Sequence, residues 1–285
     1  MKTTLEQLKA KLPSTSGEER LDLLIGISEE MCKHFDIAVK SYLKEALTLI
    51  EPYGNLEKKA QLLIYQAKFY YFTKQHNLSH NAYQQAEEIS IKINNPFLYS
   101  CALRGLGIFY MGNTQKAISY FEKALKIAQE ANIIEEQIWA YSTIAGCYTQ
   151  ELLYGKSSDN YLKAIDLAKE LEDTYLLGIC YFNYGTSLDY ASGVALTDKA
   201  IAIFERLENH PLLIRAYSYQ ASAYLSLGKF DLGILYSEKA MKMMEEKKSS
   251  TNIHWAYFVR TEALKEQAKL EDDVALKKEL LEKAI

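Results

Sequence analysis

Ala221-Ser-Ala-Tyr224-Leu-Ser-Leu-Gly228-Lys-Phe230-Asp-Leu-Gly233-Ile-Leu-Tyr-Ser237-Glu-Lys-Ala240 is the stretch that decides the fold. It reads as a small residue followed three positions later by a large one, then a glycine turn, then an alanine 19 residues after the first. Tyr217, Ala221 and Tyr224 fall on one face of a helix, as do Tyr141, Ile144, Ala145 and Tyr148. The small residue has a physical purpose. Two helices approach to about 8 Å only where no bulky side chain intervenes, and the large residue one turn later fills the adjacent groove.

The same marks recur along the chain. Large-x-x-Ala stands at Leu43/Ala46, Tyr83/Ala86, Phe121/Ala124, Tyr161/Ala164, Thr197/Ala200, Ser237/Ala240 and Leu281/Ala284, with Thr197 and Ser237 smaller than the other first members. The alanine steps are 40, 38, 40, 36, 40 and 44. Small-then-large stands at Ala67/Tyr70, Gly107/Tyr110, Ala145/Tyr148, Gly185/Leu188 and Ala221/Tyr224, with steps of 40, 38, 40 and 36. Two marks in one rhythm mean two helices per unit, here termed A and B, joined by a short turn. Each pair buries one face only, so neighbouring pairs must stack to complete a core. Strand alternation is absent from the sequence.

Composition agrees. Four prolines and 13 glycines in 285 residues leave few helix breakers, and Pro13, Pro52, Pro96 and Pro211 all lie between periodic stretches. The 22 tyrosines recur with the repeat. Balanced charge, 33 basic against 37 acidic residues, provides no positive field for a phosphate backbone, so nucleic acid is not an expected partner. No apolar run approaches the roughly 20 residues of a membrane span, and the N-terminus lacks a signal-peptide core. Cys32, Cys101, Cys147 and Cys180 stand singly, which reads as buried reduced thiols and predicts a cytoplasmic location.

The best-matching unit, Ala221 to Ala240, and the unit from Tyr141 to Ala164 resemble the tetratricopeptide repeat family, over roughly residues 16 to 285. The resemblance implies an all-α fold, a right-handed superhelix (α-solenoid) of about seven antiparallel helix pairs. It implies one solenoid domain over 1–285, with an N-terminal cap over 1–15 and repeats near 16–54, 55–95, 96–132, 133–172, 173–209, 210–250 and 251–285. Units three and five depart from the pattern, because small residue to alanine shortens from 19 to 17 (Gly107 to Ala124) and 15 (Gly185 to Ala200), so their turns or registers must differ. Repeats near 40 residues resemble the longer variants of bacterial signalling proteins. Ser16 and Glu19 are placed as a capping box at the start of the array.

Candidate chemistry resolves into packing. Gly105-Leu-Gly107-Ile-Phe-Tyr-Met-Gly112 has glycine spacing reminiscent of a phosphate loop, yet no strand precedes it and the glycines hold close-packing and turn positions. His76 and His80 stand four apart without a third ligand, which reads as solvated residues and no metal site. Cys32 and His34, two apart on a helix, point to different faces. Neither a catalytic residue nor a cofactor is expected.

The informative surface is the stripe of helix A beside the packing stripe, which lines the concave groove in proteins of the resembled architecture. Its partner-binding candidates are Ile64, Lys68 and Tyr71 in unit two, Arg104, Ile108 and Met111 in unit three, and Trp139 and Ser142 in unit four. Unit five contributes Phe182 and Asp189, and unit six Arg215, Ser218 and Ser222. Aromatic and arginine side chains on such a strip are the types that anchor peptides. The expected function is a non-catalytic scaffold or regulatory module that binds a protein or peptide in this groove. The alternative is a sensory or oligomerising region of a larger bacterial signalling enzyme, a kinase or nucleotide cyclase, continuing past Ile285. Met241, Met243, Met244, Leu280, Leu281 and Ile285 could pair the terminal helices with a second copy, giving a homo-oligomer.

Overall fold

The computed structural model describes residues 5–172, 174–246 and 253–283. It contains α1 (Leu5–Lys11) followed by seven helix pairs: α2 (Gly17–Lys33) with α3 (Val39–Leu49), α4 (Leu56–Phe72) with α5 (His76–Lys92), and α6 (Pro96–Phe109) with α7 (Thr114–Glu130). Next come α8 (Ile134–Gln150) with α9 (Tyr154–Glu170), α10 (Thr174–Ser187) with α11 (Tyr190–Arg206), α12 (His210–Ser226) with α13 (Phe230–Glu246), and α14 (Ile253–Leu270) with α15 (Val274–Lys283). No strand occurs among the described residues. The chain divides into two compact units, residues 1–167 and 168–285. In the first, α2, α4, α6 and α8 touch in succession, and α1 lays Leu5 and Leu8 on the core of α2 and α3. In the second, α10 packs on α11, α12 on α13, and α14 on both α12 and α13.

Helix B is the constant part of the repeat. α5, α7, α9, α11 and α13 are 17 residues each, and Ala86, Ala124, Ala164, Ala200 and Ala240 are all eleventh in their helices, at most 1% exposed. Helix A varies. α4, α8 and α12 run 17 residues and end five beyond Ala67, Ala145 and Ala221, whereas α6 and α10 run 14 and end two beyond Gly107 and Gly185. Three residues are lost in each case. A linker of four residues, 110–113, instead of three gives the spacing of 17, and one of two, 188–189, gives 15. The shortened helices are those whose small residue is glycine. A Cβ on Gly107 would stand 2.4 Å from the Phe121 ring, and one on Gly193 would stand 2.3 Å from the carbonyl oxygen of Gly185.

Most connections are one turn used repeatedly. The amides of Gln75, Asn95, Ile133, Leu153, Asn209 and Lys229 donate to the carbonyls of Tyr70, Ser90, Ala128, Tyr148, Phe204 and Tyr224 at 2.7 to 3.0 Å, closing each helix as a Schellman motif. The residue before each donor takes a left-handed φ: Lys74, Asn94, Asn132, Leu152, Glu208 and Gly228. Asn95 and Asn209 then cap the following helix, their Oδ1 atoms accepting the Leu98 and Leu212 amides at 3.0 and 3.3 Å. Pro96 and Pro211 sit in the first turns of α6 and α12, where the missing N–H breaks nothing. The tyrosines follow the repeat too. Lys123, Lys163, Lys199 and Lys239, tenth in their B helices, lie 5.2 to 5.6 Å over Tyr99, Tyr141, Tyr181 and Tyr217 of the paired A helices.

Two sequence expectations are corrected. Ser16 occupies the N-cap of α2 but its side chain makes no capping bond, because Gly17 at φ 61° turns the backbone left-handed directly after it. In α15 the packed leucine is Leu280, 8% exposed, while Leu281 is 43% exposed, so the last helix is rotated by one residue from the mark read at Leu281; Ala284 and Ile285 lie outside the described residues.

Leu152 is 68% exposed at φ 60°, a conformation that disfavours any Cβ. Leu152→Gly is expected to raise unfolding stability by about 1 kcal/mol in urea denaturation. Gly107→Ala, which drives a methyl into the buried Phe121 ring, is expected to lower it by about 1–3 kcal/mol.

Candidate functional site

The A helices of the first unit place Lys68 and Tyr71 on α4, Arg104, Ile108 and Met111 beside or on α6, and Trp139 on α8. Tyr71 is exposed at 45%, and Lys68, Ile108, Met111 and Trp139 are half-buried. Ile64 and Ser142, both 3% exposed, are buried and back this surface instead of facing it. Ile64 belongs to a core cluster with Leu98, Cys101 and Ala102 of the next A helix.

The strongest polar contact is an ion pair that bridges hairpins. Arg104 Nε and an Nη donate to the two carboxylate oxygens of Glu136, each at 3.1 Å, with side chains only 11% and 4% exposed. The guanidinium also lies 5.0 Å over the Trp139 ring, one turn beyond Glu136. Burial opposes the Arg104 charge, but Glu136 outweighs it and holds the guanidinium's pKa above its ordinary value. Next to it, burial first and the Arg104 charge second push the Lys68 ammonium below the ordinary lysine range. On α2, burial works against the Glu29 carboxylate, but Lys33, 2.9 Å away, and Lys68 hold its pKa below the ordinary value.

The second unit repeats the motif with the partners exchanged. Arg215 of α12 is exposed and lies 5.2 Å over Phe182 of α10, which is itself buried at 6%. Ser218 is buried and donates to the Ile214 carbonyl at 2.7 Å. Ser222 donates to the Ser218 carbonyl at 3.0 Å and accepts the Trp255 indole N–H at 2.9 Å. Asp189 is exposed but employed as the N-cap of α11, accepting the Ser192 amide at 3.1 Å, and that backbone bond lowers its pKa. Phe182, Ser218 and Asp189 thus serve packing and capping in this structure.

Three residues on these faces escaped the sequence reading. Glu136 looks like an ordinary acid in the first turn of a helix, and only folding brings Arg104, 32 positions away, onto it. Trp255 and Phe258 of α14 are 49% and 51% exposed with rings 5.3 Å apart. Their unit lacks the small-then-large mark that located the others.

Cβ atoms on Gly105 and Gly107 would collide with the Tyr83 and Phe121 rings, so these glycines serve helix contact. All four cysteines are buried, and burial pushes the Cys32 and Cys147 thiols up to about 11, away from the thiolate that nucleophilic chemistry requires. His80 packs 4.3 Å from Phe109 and its Nε2 is 3.2 Å from the Tyr110 hydroxyl. Among the described residues no group of three His, Cys, Asp or Glu could hold a metal ion, and no helix is long and apolar enough to cross a membrane.

Residues 98–170 match the family described as tetratricopeptide repeat, and they cover α6 to α9, two complete hairpins. No curated protein sequence matches the chain. Among solved structures, a Rap protein complexed with Competence and Sporulation Factor is similar over 98% of this chain and 80% of its own, with 18% identity and a TM-score of 0.68. A signal transduction ATPase with numerous domains and a tetratricopeptide repeat sensor, from Pyrococcus horikoshii, is similar over 98% of this chain and 43% of its own, with 18% identity and a TM-score of 0.65. Aspartyl phosphate phosphatase F from Bacillus subtilis is similar over 84% and 63%, with 17% identity and a TM-score of 0.61. The chain carries tetratricopeptide repeats in an all-α array of consecutive packed helix pairs.

Arg104→Met leaves Glu136 buried without its partner and is expected to cost about 3–5 kcal/mol in chemical denaturation. Adding Glu136→Leu is expected to recover most of the loss, because both desolvated charges are then gone.

Proposed function

We propose that this protein is a non-catalytic scaffold or regulatory module that binds a protein or peptide on the A-helix faces of its repeats. One observation carries the reading. Trp255 is half-exposed yet held rigid, its indole N–H bonded to Ser222 and its ring against Phe258, so an apolar partner meets a preorganised anchor with no polar group left to satisfy. Tyr71 in the first unit and the exposed Arg215 in the second are anchors of the same kind. The similar Rap protein is complexed with Competence and Sporulation Factor, which supports binding of a factor by this fold. Lys68, Ile108, Met111 and Trp139 extend the contact surface of the first unit, and Ser222 that of the second.

A second reading is a sensory or oligomerising region of a larger bacterial signalling enzyme, supported by the similar ATPase that carries a tetratricopeptide repeat sensor. The coding frame after Ile285, which lies outside the described residues, decides it: a stop codon there removes it. Self-association would use the α14–α15 hairpin, where Leu270 is 74% and Val274 80% exposed. Met244 and Leu280 are buried and unavailable for it. A mass that stays monomeric in light scattering across concentration would rule it out.

Affinity capture from the native cell tests the main reading. Tyr71→Ala and Trp255→Ala are expected to reduce partner recovery about tenfold each with helicity unchanged, while Glu122→Ala on helix B leaves it intact. Equal recovery by all four proteins would sink the assignment.

A further inference from the structure

Gln220 of α12, in the second unit, is fully buried, yet only one end of its amide is used. Its Nε2 donates to the Val194 carbonyl at 3.2 Å and to an Asp198 carboxylate oxygen at 2.6 Å, both on α11. The carbonyl and the ionised carboxylate can only accept, so they fix which way the amide points. Among the described residues Oε1 is then the one buried side-chain acceptor left without a hydrogen bond. Such atoms are rare, because folding removes their water and returns nothing. Asp198 is the other half of the observation. It is exposed, and among the described residues no lysine, arginine or histidine nitrogen lies within 4.0 Å of its carboxylate. Burial pushes its pKa above the ordinary value, and the Gln220 N–H only partly offsets that. Lysines on this side of the unit are drawn to rings instead. Lys229 lies 6.0 Å over Tyr224 and Lys199 5.4 Å over Tyr181, while Lys239 lies 4.9 Å over Tyr236 and 5.5 Å over Tyr217. Glu205, two turns beyond Asp198 on α11, accepts the Tyr217 hydroxyl at 2.7 Å. Tyr224 and Tyr236 are stacked 5.5 Å apart, and burial first and the Asp198 charge second keep both phenols protonated beside the carboxylate.

We propose that Asp198 and Gln220 form a seat for an arginine side chain of a partner protein. Oε1 shares its carbon with Nε2, which puts it within about 5 Å of the Asp198 oxygen that Nε2 touches. The two oxygens therefore ask for one group that carries several donors. A guanidinium has five N–H donors in one plane, enough to serve the carboxylate and the amide oxygen together. It is also weakly hydrated and packs against aromatic rings, here Tyr224 and Tyr236. The seat is separate from the A-helix face: Gln220 stands roughly 140 to 160° around α12 from Arg215 and Ser222. It gives the second unit a contact on the α11–α13 side that does not require the A-helix face to bind anything.

Nitrogen-15 spectra of the full chain report on the seat through the Gln220 side-chain NH2, identified by its loss in Gln220→Met. Acetyl-arginine methylamide, titrated at constant ionic strength, is expected to shift that signal saturably, and the uncharged acetyl-norleucine methylamide to leave it in place. Asp198→Asn keeps an acceptor for Nε2 and removes the charge, and is expected to weaken arginine binding about tenfold or more. Glu205→Gln, two turns along the same helix, is expected to change it less than about twofold, which separates a built seat from general attraction to acids. Circular dichroism and urea midpoints establish that both variants are folded. No saturable shift, an equal response to the norleucine compound, or an affinity unaltered in Asp198→Asn would each overturn the proposal. So would free arginine or spermidine binding tenfold more tightly than the capped arginine, since the seat would then belong to a small molecule. None of these outcomes bears on partner capture through Tyr71 and Trp255, so failure here leaves the A-helix face standing.

Discussion

Close contact between helix A and helix B is the constraint on which everything else depends. Ala67, Ala145 and Ala221, or Gly107 and Gly185, are buried where their helices meet the partner helix, and at Gly107 the space a methyl would need is taken by the Phe121 ring. A hairpin closed this way buries one side of each helix and no more. Its outer side becomes useful only when the next A helix covers it, and the five B helices from α5 to α13 keep one length and register while the A helices adjust. Stability is therefore distributed over contacts between neighbours, and no single hairpin holds a complete core.

The division of labour between the helices follows from that geometry. Helix B contributes the buried alanine on one side and a lysine lying over a tyrosine of helix A on another, both repeating with the unit. Helix A meets its own B helix and, from α2 to α8 and between α12 and α14, the next A helix too, and the strip left over carries residues that packing does not prescribe. On that strip stand stacked guanidinium–aromatic pairs, Arg104 with Trp139 and Arg215 with Phe182, and the exposed rings of Tyr71, Trp255 and Phe258. A buried bidentate ion pair such as Arg104–Glu136 adds little net stability compared with apolar packing, but it fixes the register of α6 against α8 and holds the tryptophan face in place.

Much of the array was legible because its signals are local. The rhythm of small residue, large residue and alanine reports contacts between helices adjacent in sequence, and the shortened spacings at Gly107 and Gly185 foretold turns of altered length. The reading failed where a position depends on a helix one repeat away. Ile64, Ser142, Phe182 and Ser218 share a helical stripe with exposed residues, yet all four are buried in the fold. Asp189 looked like a groove residue and is the cap of α11, since the shorter helix before it moved the turn. Trp255 and Phe258 were passed over because α14 lacks the mark that set the register elsewhere.

By itself the sequence determined the helix-pair architecture, the period near 40 residues and the positions where helices touch, because each of these depends on residue size and spacing within a single repeat. Only the tertiary structure decided which members of the groove stripe reach solvent and that Glu136 satisfies Arg104. Those outcomes depend on the approach of side chains some 30 to 40 positions apart, set by how one hairpin nests on the next, and no local pattern of residues encodes that distance.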